Sequence, residues 1–381
     1  MTTFMGYKRS DGKVGVRNHV IAVATVACVN GVVEQLAARV PEVIPLVHID
    51  GCYSFVNSPY FTRTVLNVCC NPNHYAVIII GLGCECDNAK ELGEKIAATG
   101  KKVFSAITQE DGGSMKVLDA ACEAARAFVK ETEAMEREPC DIGALILGTE
   151  CGGSDALSGI TANPAIGHLS DWIVSKGGTS ILSESDELKG CEAMLAERAA
   201  TPEIAQKIWD IIPPWPEQRF DKDYLKGGMT NILEKSLGCL SKGGTSTVMG
   251  VSEYGEDISG RKGLIIMDGT GYDPESCTGL VASGAQIIVF SSGHGNPLGF
   301  PSAPTIKICS NPVRYIELGG DSMESDIDIN AGAIISEGIS AEEMGDRLVK
   351  FFIDVANGKQ TKPELHKHGG LMCIYRNTIA F

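Results

Sequence analysis

The chain has 381 residues, 44% of them hydrophobic, and a formal net charge of −15. That length and apolar content support two domains with sizeable cores, and the negative field disfavours nucleic acid and anionic membranes as partners. No apolar run reaches the roughly 18 residues of a membrane span, the first six residues lack the regions of a signal peptide, and fourteen unevenly spaced cysteines do not make a secreted disulfide scaffold, so a reducing cytoplasm is the expected compartment.

Taken in chain order, residues 19–27 read as a strand, 31–40 as a helix, 43–49 as a strand, 58–70 as a helix and 76–80 as a strand. A helix over 88–99, a strand over 102–106 and a helix over 113–130 follow. This alternation predicts a parallel sheet with helices on its faces. The charged stretch 130–139 marks a boundary, giving domains over 1–132 and 133–381. The second cycle has strands at 142–147, 179–182, 263–267, 285–291 and 305–308. Its helices fall at 164–176, 188–200, 202–212, 231–240 and 341–357, and a last strand at 371–375. A proline cluster at 213–216 routes a loop between them. The fold class is α/β, each domain built on a mostly parallel sheet.

Three apolar runs each deliver a cysteine just beyond them: Cys52, Cys84 and Cys151. Parallel sheets gather such positions at their carboxyl edges, where ligands bind. Three thiolates leave a coordination position open, which suits a catalytic metal, iron foremost, as Fe2+ or an iron–sulfur cluster. The competing reading is that free cysteines are small buried hydrophobes. Glu85 and Glu150 adjoin these cysteines and suit proton transfer. Arg17 and Asn18, ahead of the first strand, suit a substrate carboxylate. His294, between glycines after a strand, is a candidate acid or base, and His48 lies close to Cys52. The acid-rich segment 320–332 could hold a hard cation, although its spacing is not that of an EF-hand.

The chain resembles the altronate/galactarate dehydratase family. The resemblance rests on Gly15-Val16-Arg17-Asn18, Gly51-Cys52, Gly83-Cys84-Glu85 and Glu150-Cys151-Gly152-Gly153-Ser154-Asp155. Further along it rests on Asn163-Pro164, Ser276 with Thr278-Gly279, Ile306-Lys307 and residues 328–332. It implies an iron-requiring lyase acting on a 2-hydroxy acid, a first domain used for dimerisation, and a Rossmann-like C-terminal variant. Members with a fused N-terminal β-clip domain differ from this chain, so a separate small β-clip subunit and a homodimer or higher oligomer are expected. (2R)-Sulfolactate sulfo-lyase, which eliminates sulfite, is similar.

From these residues the expected chemistry is dehydration of a sugar acid. Iron on Cys52, Cys84 and Cys151 would polarise the substrate. Arg17, Asn18, Ser154, Asp155, Asn163 and Thr278 would position it, with His48, Glu85, Glu150, His294 and Lys307 as proton-transfer candidates. The alternatives are sulfite elimination, a non-catalytic metal-binding subunit and a nicotinamide-dependent dehydrogenase. The last lacks a G-x-G-x-x-G after the first strand.

Overall fold

The computed structural model describes residues 2–52, 60–212 and 222–376. Strands β1 (Thr3–Lys8) and β2 (Val14–Gly15) form an antiparallel pair. Strands β3 (His19–Ala24), β4 (Val43–Leu46), β5 (His74–Gly81) and β6 (Lys102–Ile107) make a four-stranded parallel sheet in the order β4-β3-β5-β6. Strand β7 (Glu138–Asp141) returns to pair with β1, from Thr3–Asp141 to Gly6–Glu138. Strands β8 (Ile146–Cys151), β9 (Thr179–Leu182), β10 (Val248–Ser252), β11 (Gly263–Met267), β12 (Ile287–Ser292), β13 (Thr305–Cys309) and β14 (Ile329–Asn330) form the second parallel sheet. Its order is β10-β11-β9-β8-β12-β13-β14.

The chain is therefore α/β with two parallel sheets. Buried aliphatic strands such as β5 (HYAVIIIG) are the pattern of a sheet covered on both faces. The covering helices have one apolar face, and several are capped from the sequence. Asn88 accepts from the Lys90 and Glu91 amides ahead of Ala89–Ala97, and Ser340 accepts from the Glu343 amide ahead of Ala341–Ala356.

The two sheets share one apolar core. Ile21, Val65 and Val77 of the first half pack in the same cluster as Ile265, Leu280 and Phe290 of the second. Polar groups brace the join: Asn71 Nδ2 donates to Val281 O and Ala285 O, both at 2.9 Å, and Asn73 Nδ2 donates to Gln286 O at 2.9 Å. Strand β1, from the first half, pairs across the expected boundary with β7.

Several expectations are corrected. Residues 142–147 divide into a 3-10 turn (Ile142–Ala144) and the start of β8. The strand runs past its expected end at 147: Gly148 and Thr149 lie mid-strand, with Gly148 paired to both Ile288 and Ile181. Leu280 explains the glycine, since a Cβ there would lie 3.1 Å from its Cδ1. Residues 371–375 make no strand; among the described residues their backbone–backbone hydrogen bond is Met372 N–H to Val47 O. The helix expected over 188–200 shortens to Glu192–Ala196. The 213–216 cluster lies outside the described residues.

Candidate active site

In the second sheet the chain leaves β8 toward β9 on one side and reaches β12 on the other. Order reversal at a central strand opens a crevice at the carboxyl ends. Cys151 is the last residue of β8 and pairs with Ser291 of β12. Glu184 follows β9, and Glu187 ends the adjacent 3-10 turn Ser185–Glu187. Helix Ile232–Ser241 supplies Lys235 and Cys239, and Lys242 caps it. Positions 235, 239 and 242 have i, i+4, i+7 spacing, so one helix face carries all three.

These groups form a dense buried cluster. Lys235 Nζ lies 2.7 Å from Glu187 Oε2, 2.8 Å from Ser154 Oγ and 3.3 Å from Cys151 Sγ. Cys151 Sγ is 3.3 Å from Glu184 Oε1 and 3.6 Å from Glu187 Oε2. Lys242 pairs with the other Glu184 oxygen. Glu184 sits in the left-handed region (φ 66°, ψ 49°), one of two non-glycine residues with positive φ among those described. Such strain persists only where the surroundings hold it, and it concentrates at functional sites. Glu150 is fully buried. Its Oε2 accepts from the Ser276 and Ser183 hydroxyls, while Oε1 has no partner among the described residues.

The electrostatics are those of an excess of acids around two ammoniums. A hydrogen bond from Cys239, aided by Lys235 and Lys242 against the cost of burial, holds the Cys151 thiol well below its ordinary range. That same bond, with burial, pushes Cys239 up. Burial drives Glu150 and Glu184 well above the carboxylate range and Glu187 to about 7, with the lysines opposing.

Cys151, Glu184, Glu187 and Cys239 place their donor atoms within 4.8 Å of one another. Two thiolates and two carboxylates sum to four negative charges. A divalent ion and the two ammoniums together supply four positive ones, so a borderline metal such as iron fits this set electrostatically. Binding would displace the protons that burial now retains on the acids.

The expected residues are dispersed by comparison. Cys52 and Cys84 are exposed, beyond β4 and β5 at the edge of the first sheet. Among the described residues they do not join Cys151 in a ligand group. His48 Nδ1 accepts from the Asp50 amide at 3.1 Å and Nε2 donates to Ala24 O at 2.8 Å, so both ring nitrogens are engaged. Glu85 accepts from the Leu82 and Gly83 amides and from the Thr25 hydroxyl. Those bonds outweigh burial and keep its carboxyl low.

Arg17 is instead a lock within the structure. It grips Glu364 through Nε and Nη2 at 2.7 and 2.9 Å and donates to Val16 O, Val355 O and Lys359 O. All five N–H groups are used, which leaves none for a substrate carboxylate. Asn18 accepts from Arg9 at 2.7 Å in the same region.

Nearer the cluster, Ser154 accepts from Lys235. Asp155 gathers Ser158, Ser310 and Asn311 and holds the turn after Cys151 in place. Asn163 ties Gly238 O to the Ser291 hydroxyl. His294 is half-buried beside the same turn, where a Cβ on Gly227 would lie 3.1 Å from its Nε2. Lys307 Nζ donates to Leu298 O at 2.9 Å and lies 3.0 Å from the Phe290 ring centroid; burial lowers it to about 7. Thr278 Oγ1 accepts from the Cys373 amide. That contact belongs to residues 371–376, which run on to Val47 and pair Arg376 with Asp50, tying the edges of the two sheets together.

Comparison with known proteins covers both halves of the chain. Residues 142–379 match the D-galactarate/altronate dehydratase C-terminal domain, and residues 6–133 match the D-galactarate dehydratase/altronate hydrolase second domain. Altronate dehydratase of Bacillus subtilis is 32% identical over 388 residues, covering 95% of this chain and 75% of that protein. The (2R)-sulfolactate sulfo-lyase subunit beta of Chromohalobacter salexigens is 33% identical over 380 residues, covering 96% of this chain and 95% of that one. Galactarate dehydratase (L-threo-forming) of Escherichia coli is 31% identical over 398 residues, covering 94% and 73%. With both halves matched and relatives of this extent, the chain belongs to the galactarate/altronate dehydratase family.

Proposed function

We propose that this chain is an iron-dependent lyase that dehydrates a sugar acid of the altronate or galactarate type to a 2-keto-3-deoxy acid. The observation that carries the reading is the buried Cys151, Glu184, Glu187 and Cys239 quartet with its two lysines at the switch point of the second sheet. Iron bound there would supply Lewis acidity toward the leaving hydroxyl. Lys235 and Lys242 attract the substrate anion and are already desolvated. His294, beside the Cys151 turn, takes the proton from C2. The C2–H electrons become the C2–C3 double bond as the C3–O bond breaks. The imidazolium so formed returns that proton to the departing hydroxyl, which leaves as water, while Glu187 stays ionised beside Lys235. The enol then tautomerises to the keto acid. His48 is excluded as base by its two engaged nitrogens, and Lys307 by its seal against Phe290.

A second reading, sulfite elimination from a sulfolactate, is favoured by the match over 95% of a sulfo-lyase subunit. Buried ammoniums also suit a fixed sulfonate. On either reading, a separate small β-clip subunit, dimerisation through residues 1–132, a Rossmann-like unit over 133–381 and a cytoplasmic setting belong to the proposal. The β9-β8-β12-β13 order supports the third of these. No helix among the described residues is long and apolar enough to cross a membrane.

The test is anaerobic reconstitution with Fe2+ and assay of altronate, galactarate and (2R)-sulfolactate for keto acid and sulfite. Keto acid from a sugar acid, with iron lost in Cys151→Ala and Cys239→Ala but kept in Cys52→Ala and Cys84→Ala, is expected. Sulfite release without dehydration would select the second reading. Iron retained in the first pair and lost in the second would overturn the quartet.

A further inference from the structure

We propose that Asp326, His366 and His368 form a second metal site, for a divalent transition ion such as zinc or cobalt, that fastens the start of the C-terminal tail to the acidic loop. The three side chains place one donor atom each within 4.8 Å of one another. His366 Nδ1 lies 3.6 Å and His368 Nδ1 3.4 Å from the same oxygen, Asp326 Oδ1. Tetrahedral geometry with bonds of about 2.1 Å puts neighbouring donors roughly 3.4 Å apart, so the two spacings from the histidines to Asp326 need almost no adjustment.

The tautomer of His366 points the same way. Its Nε2 lies 2.8 Å from Met323 O, and a carbonyl can only accept. A neutral ring therefore carries its proton on Nε2, and its Nδ1 lone pair faces the Asp326 carboxylate. A metal ion between these two electron-rich atoms satisfies both. An imidazole N–H donated to a backbone carbonyl is also the outer contact that orients a metal-bound histidine.

The backbone is committed to this geometry. Lys367, between the two histidines, is the other non-glycine residue with positive φ (φ 57°, ψ 38°). That conformation brings residues two apart onto one side and sets their rings 5.2 Å apart. The loop is already tethered to the short helix Lys362–His366, which carries His366. Lys362 Nζ donates to Ser322 O at 2.6 Å, and its amide donates to Asp328 at 2.9 Å. Two imidazoles and one carboxylate suit zinc, cobalt or nickel better than calcium or magnesium. The remaining coordination positions face solvent. The site lies at the root of the tail that reaches Val47 and Asp50, so the ion would fix where that tail departs.

Cobalt distinguishes this site from the cysteine quartet, because only a thiolate-bound ion gives sulfur-to-cobalt charge-transfer absorption. Iron-free full-length protein should take up two equivalents anaerobically, one with that absorption and one without. His368→Gln and Asp326→Asn should each lose the second and keep the first. Trypsin cleavage after Lys367 should slow at least tenfold with two equivalents of zinc in the native chain, enough to fill both sites, and be unchanged by zinc in His368→Gln. Absence of the second equivalent, its persistence in both variants, or zinc protection that survives His368→Gln would each overturn the proposal.

Discussion

Replacing Arg17 with methionine should lower thermal stability and leave substrate affinity intact. The pair it forms with Glu364 is 8% and 15% exposed, and removing one partner of a buried pair costs about 3–5 kcal/mol. Local redundancy places this case at the low end. Glu364 keeps the Thr361 amide at 2.9 Å and hydroxyl at 3.2 Å. Val16 O keeps Arg137, and Val355 O keeps the Gly358 amide. Lys359 O alone of the three carbonyls loses its sole described donor. Unfolding entropy of about 2.1 cal/mol/K per residue gives roughly 0.8 kcal/mol/K for the whole chain, so a loss of about 3 kcal/mol lowers Tm by about 4 °C. Calorimetry and steady-state kinetics on the same preparation decide it. A Tm within about 1 °C of the native value together with a KM raised roughly tenfold would refute the lock and return Arg17 to the substrate.

Lys307→Met should flatten the stability profile above neutrality. With a folded value near 7 against 10.5, the native state binds fewer protons than the unfolded state between those limits, so stability rises with pH there and is lost as pH falls toward 7. The native slope should exceed that of the variant by about 1.4 kcal/mol per pH unit between pH 7.5 and 9.5 in urea titrations; parallel profiles would mean that Lys307 is charged when folded. Gly293→Ala puts a Cβ 2.5 Å from Asp155 Cγ and should cost about 1–3 kcal/mol and depress kcat by displacing the Cys151 turn. Unchanged kcat and unfolding midpoint would show that the turn absorbs the methyl group. Brief alkylation of the native, iron-free chain should modify Cys28, Cys52, Cys84 and Cys86 and spare Cys239, as mapped by mass spectrometry; equal labelling of Cys239 would show that the quartet is open to solvent.

The sheets were legible because their strands are buried on both faces, which leaves apolar runs such as residues 76–80 standing out between helical periods. Strands β1 and β7 were not, because both are short and pair over more than 130 residues of sequence. Cys151 and Glu150 were found from their place after an apolar run. Gly148 concealed that they belong to the strand itself, because a glycine that admits Leu280 looks like a turn. Glu184 and Glu187 lie in a polar segment that reads as solvated. Lys235, Cys239 and Lys242 were hidden by the ordinary rule that lysines face water, although their shared helical spacing with a cysteine was a usable signal. Cys52 and Cys84 satisfied the same sheet-edge argument on a different sheet. Residue order alone does not measure the distance between the two edges.

The contacts that close the structure join its two extremities. Met5 hydrogen-bonds Asn357, Arg17 grips Glu364 and Asp50 pairs with Arg376. On the ribosome, the first sheet can collapse early, but its edge near Asp50 and its entry turn near Arg17 wait for residues 359–376 to emerge. Closing loops of this span costs conformational entropy that local contacts do not repay. Loss of residues 371–376 should therefore be felt first at the amino-terminal half, as a slowly maturing chain with an unfinished edge.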